Sequence, residues 1–161
     1  MSRRMIGKAH LVAGSVAFVL IVLFWTSTVG VELFGSEGGI ATAKTAILWG
    51  MLLLVPSMAV VGGSGFRLGG RSEAPIIAVK RRRMIVIAAN GLLILVPSAV
   101  FLAWRASAGQ FGAAFYVVQT LELAAGATNL TLMALNMRDG FALTRRRREL
   151  LQATSHRVSG R

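Results

Sequence analysis

The chain has 161 residues, 55% of them hydrophobic, with a mean hydropathy of +0.66 and a formal net charge of +12. That length allows a single domain, residues 1–161, and that composition is too apolar for an ordinary soluble one. With no cysteine and only His10 and His156 as imidazoles, disulfides, iron–sulfur clusters and a closed zinc or copper site within one chain are excluded, so no metal site is expected.

A basic flank of Arg3, Arg4 and Lys8 precedes the first apolar run, 9–32. The run is too long for the h-region of a signal peptide and reads as a retained membrane helix. Lys8 and His10 stand at its start; Trp25, Thr26, Ser27, Thr28 and Glu32 stand towards its end. Residues 35–39, rich in glycine, read as a tight turn into a second run, 43–62, that contains Pro56. The connection 63–83 reads as a flexible loop, because its glycines lack the spacing of a phosphate-binding fingerprint. It ends in Lys80, Arg81, Arg82 and Arg83.

The third run, 84–104, contains Pro97, and its segment 91–98 matches segment 50–57 of the second run at six of eight positions. In two antiparallel helices such a match is the pattern of an inverted repeat, although glycine, leucine and proline are common in membrane helices in any case. Pro56 and Pro97 each remove a backbone donor and are expected to kink their helices. A second turn, 106–110, leads to the fourth run, 113–136, and then to a basic tail, 138–161. Trp25, Trp49, Trp104 and Tyr116 fall in the outer thirds of their runs, as an aromatic belt requires.

Four runs of this length predict an all-α integral membrane protein, an antiparallel four-helix bundle. All but two of the 18 Lys and Arg lie in the N-terminal flank, the middle connection and the tail. Lys44 and Arg105 are the exceptions. By the positive-inside rule both termini face the cytoplasm, which places the chain in a bacterial inner (plasma) membrane. Arg81, Arg82 and Arg83, with Arg145, Arg146, Arg147 and Arg148, are positioned to hold anionic lipid headgroups. The basic residues lack aromatic interleaving and any nucleic-acid motif, so nucleic acid is not an expected partner.

In the fourth run Gln119, Glu122, Gly126, Asn129, Met133 and Asn136 recur at spacings of three and four and share one helical face. A carboxyl near mid-membrane normally faces the bundle interior or a water-filled cavity. Polar side chains on such a face also join helices by hydrogen bonds, and that packing role is the alternative for all four polar residues. His10 falls at the depth of Asn136, where the ascending first helix and the descending fourth bring their polar ends together. An imidazole there can serve as a proton carrier, a haem ligand or an interface hydrogen-bonding group.

Lys8-Ala9-His10, opening a first membrane helix, resembles the copper-resistance-D-like group of four-helix membrane proteins over about 25 residues. The resemblance implies His10 as an axial ligand of haem b. The chain departs from the group in lacking a second intramembrane histidine, so a methionine (Met5, Met51, Met58, Met84 or Met133) or a partner subunit would complete the site. Three functions stay open. One is a non-enzymatic accessory or ligand-binding subunit of a membrane complex or a homo-oligomer; the second is a haem or quinone redox component using His10; the third is a small proton-coupled transporter using Glu122.

Overall fold

The computed structural model describes residues 2–70 and 75–159; from residue 143 onward it describes the side chains of Arg145, Glu149 and Gln152 alone. Arg71, Arg146, Arg147, Arg148 and His156 therefore lie outside the described side chains. Every described element is helical. Helix α1 spans Arg3–Phe34, α2 Glu37–Gly69 and α3 Pro75–Ser107, and α4 spans Ala113–Ser159.

The boundaries follow local chemistry. The Ser2 hydroxyl accepts from the Met5 amide and caps α1, and the Ser36 hydroxyl accepts from Gly39 and caps α2. These caps satisfy amides that a helix start leaves without partners. The first turn is thus only Gly35 and Ser36, shorter than the expected 35–39. The expected loop 63–83 is largely helix. α2 runs through its glycines to Gly69 and ends at Gly70, whose φ of 51° suits glycine. α3 starts at Pro75, a residue preorganised for a first helical turn, and its basic run continues as good helix formers. The basic tail is likewise the continuation of α4, whose 47 residues reach about 70 Å at 1.5 Å per residue.

The two prolines sit in different backbones despite their matching sequences. α2 continues through Pro56, and the Ser57 hydroxyl adds a 2.8 Å bond to the Leu53 carbonyl. Before Pro97, α3 widens into a π-turn at Gly91–Leu95, with the Val96 amide bonded to the Gly91 carbonyl. A π-turn relaxes the clash that a proline ring makes with the preceding turn. α3 closes on Gly109, whose φ of 66° is the left-handed conformation and whose amide bonds the Ala106 carbonyl at 3.0 Å.

The helices contact one another in a ring, α1 with α2, α2 with α3, α3 with α4 and α4 with α1. One apolar cluster joins Ala17, Ile21, Ile87 and Met133; another joins Ile40, Leu102, Ala106 and Phe115. Large apolar side chains such as Trp49, Leu52, Leu93 and Val117 point outward and are more than half exposed. That inside-out distribution belongs to a surface bathed in lipid. α1, α2 and α3 are long and apolar enough to cross a membrane, with hydropathies of 2.1, 2.0 and 2.4. α4, expected as a fourth span, is long enough but falls outside that apolar class, because Gln119, Glu122, Asn129 and Asn136 dilute it.

Candidate functional site

The polar face of α4 divides among different partners. In its outer part, the Glu122 Oε2 lies 2.5 Å from the Lys44 Nζ, and Lys44 also donates to the Thr28 hydroxyl at 3.5 Å. Lys44 is 1% exposed. Its positioning follows from spacing: Ile40, Lys44 and Ile47 recur at four and three on the buried face of α2. Gln119, one turn before Glu122, is also buried, yet neither of its amide atoms has a hydrogen-bond partner among the described residues. A cavity of about 60 Å³ adjoins Thr28, Glu122 and Trp25 on the side towards the membrane middle.

Asn129 takes a different partner. Its Oδ1 accepts from Asn90 Nδ2 at 2.8 Å, and Asn90 also donates to the Ala125 carbonyl at 2.9 Å. This pair ties the residue preceding the π-turn to α4, the packing role weighed for Asn129. Trp25, expected in an aromatic belt, turns inward instead: its Nε1 donates to the Leu123 carbonyl at 3.0 Å, with the ring against Gly126. Glycine is the one side chain that lets the indole approach so closely. Trp49, Trp104 and Tyr116 remain outward-facing. Between this part of α4 and His10 stands the apolar cluster of Ala17, Ile21, Ile87 and Met133.

Below that cluster all four helices enclose a cavity of about 370 Å³. His10 and Asn136 both line it, so these two polar ends do come together. The walls add Lys80 and a run of thioethers from Met58, Met84, Met133 and Met137. Leu11 of α1 and Phe141 of α4 flank the opening and are 58% and 63% exposed. The mouth therefore faces sideways between α1 and α4. The volume lies within the range of small-molecule sites.

His10 Nδ1 lies 2.9 Å from the Ser64 hydroxyl, which also donates to the Val60 carbonyl at 2.5 Å. Met84 converges on the same place. A Cβ built on Gly65 would lie 3.1 Å from the Met84 Sδ and 3.3 Å from the His10 Cε1. An imidazole and a thioether thus stand side by side at the wall of the cavity.

Beside the cavity, Arg83 NH1 donates to Asp139 Oδ2 at 2.7 Å and to Asn136 Oδ1 at a long 3.5 Å. The Arg83 hydrogen bond, reinforced by Arg138, holds the Asp139 carboxyl below its ordinary range. Arg83 thereby ties α3 to α4. Arg81 bonds the Gly70 carbonyl at 2.8 Å but stays exposed, as do Arg82 and Arg145. No group of three or more His, Asp or Glu among the described residues is arranged to hold a metal ion. Lys44, Thr28, Ser64, Asn90 and Asp139 are the site residues that sequence reasoning missed.

These features define an all-helical protein with three helices long and apolar enough to cross a membrane, an internal ion pair and a cavity that opens between α1 and α4. Neither protein-family models, curated proteins nor solved structures gave a match to the chain.

Proposed function

We propose that the chain is an antiparallel four-span bundle of the bacterial inner membrane, with both termini in the cytoplasm. In this reading it works as a non-enzymatic ligand-binding or accessory subunit of a membrane complex or homo-oligomer. α4 counts as a span because its polar residues turn inward, Gln119 and Asn129 being 3% and 2% exposed, while Val117 and Leu121 face outward. The observation that carries the function is the 370 Å³ cavity, apolar through most of its wall and polar at Lys80, His10 and Asn136. A lipid-soluble molecule with a polar head, entering sideways from the bilayer, matches that lining. Exposed Arg81, Arg82 and Arg145 add attraction for anionic lipids.

Gentle-detergent purification followed by mass analysis of extracted small molecules tests this reading. The parent should carry a stoichiometric lipid-soluble species, and Gly14→Phe, which projects a ring into the cavity, should lower it by roughly tenfold or more. Identical small-molecule content in a folded Gly14→Phe variant would refute the assignment.

A second reading has its own observation, the His10 imidazole beside the Met84 thioether. Those atoms would ligate haem b, whose iron supplies one-electron redox chemistry, or would anchor a quinone head. The likeness of the first helix to the copper-resistance-D-like group adds support at the same histidine. A visible absorption spectrum of the purified protein decides: a haem band lost in His10→Ala supports a redox component, and a colourless sample that binds no added haem excludes the haem form.

A further inference from the structure

We propose that Glu32, beside the Lys44–Glu122 ion pair, is a proton-binding carboxyl in the outer half of the helix ring. The site lies beyond the cavity described above, on the other side of the apolar cluster.

The argument begins with charge. Two carboxylates and one ammonium lie in the same part of the ring, Lys44 fully buried and Glu122 and Glu32 partly so. Lys44 and Glu122 neutralise one another at 2.5 Å. Glu32 stands one turn beyond Thr28 on α1 and interacts electrostatically with both of them. Its Oε1 is buried and has no hydrogen-bond donor among the described residues. An ionised oxygen left in that state is unfavourable in a low-dielectric interior, whereas a protonated carboxyl carries its own donor and removes the surplus negative charge.

A further observation points to the same place. Gln119 is 3% exposed, lies on the α4 face that carries Glu122, and has an amide donor and acceptor without partners among the described residues. It is suited to exchange hydrogen bonds with a carboxyl that changes protonation.

Charged groups on the surrounding helices do not supply the missing positive charge. On α2 the acidic Glu37 sits exposed in the first turn. On α3, Arg105 is engaged with Gln110 at 2.6 Å and lies over the Phe101 ring. The reaction balances without a co-reactant, since a carboxylate and a proton from bulk solvent become a carboxylic acid and the site changes from a net charge of one minus to zero.

Infrared difference spectra of the full chain in lipid nanodiscs, taken between about pH 8 and about pH 4, read the protonated carboxyl directly. The expected result is a buried-carboxyl band equivalent to one proton per chain. Glu32→Gln should abolish it while sparing the Lys44–Glu122 pair and therefore the fold, and Glu37→Gln should leave it intact. Absence of the band in the parent, or its survival in Glu32→Gln, would overturn the proposal.

Discussion

Lys44 and Glu122 join two helices that do not otherwise meet: α2 and α4 stand on opposite corners of the ring, with no Cα pair within 8 Å among the described residues. A pair so enclosed is held by mutual neutralisation, and removing either member leaves the other charged and buried. Lys44→Met or Glu122→Leu alone should destabilise the protein by about 3–5 kcal/mol. The double variant should recover most of that loss. Denaturant unfolding of the four proteins in detergent measures the coupling, and additive effects would show that the two residues act independently.

The approach of Trp25 to Gly126 yields a second expectation. A Cβ at Gly126 would lie 3.0 Å from the indole Cδ1. Gly126→Leu should therefore push α1 from α4, break the Trp25 bond to the Leu123 carbonyl and destabilise by about 1–3 kcal/mol. Tryptophan fluorescence reports the displacement. Wild-type stability and emission in Gly126→Leu would mean that the close approach contributes nothing.

Much of the fold was legible because apolar runs long enough to span a membrane have few alternatives, and the four helices stand over the four runs. Their ends were less legible. Glycines in segment 62–69 look like a loop, yet α2 runs through them, with Gly65 lying against His10 and Met84. Lys80, Arg81, Arg82 and Arg83 look like loop charges although arginine and lysine are good helix formers. At the site, spacing identified the polar face of α4, but spacing on one helix cannot name partners on another. Asn129 meets Asn90, and Glu122 meets Lys44, only through the rotation of neighbouring helices. Lys44 was obscured for a specific reason: counting charges for topology treats every lysine as solvent-facing, while its register with Ile40 and Ile47 carried the opposite message.

Topology also tests whether α4 crosses the bilayer. Reporters fused after Gly70 and at the C-terminus should both read cytoplasm, and one inserted in residues 35–39 should read the outside. If α4 does not cross, the C-terminal reporter alone reverses. That single reversal would remove the fourth span from the proposed bundle while leaving the first three intact.

Acid stability provides the last expectation, through the contact of Asp139 with Arg83. Hydrogen bonds from Arg83 and then Arg138 hold its carboxyl below the ordinary value, and no such bonds exist in an unfolded chain. A depressed carboxylate pKa means that the unfolded state binds the proton more readily. The contribution is therefore fully present above the ordinary carboxylate pKa and is lost as pH falls through the lower folded value. Between about pH 7 and about pH 5 Asp139 should contribute a constant stabilisation, and the decline should set in below about pH 4. Asp139→Asn keeps the shape but cannot lose a charge, so it should be less stable than the parent at neutral pH and converge with it in acid. Thermal unfolding of both proteins across that range is the measurement. A stability difference that stays the same down to about pH 2 would show that the Arg83–Asp139 contact holds α3 to α4 by shape rather than by charge.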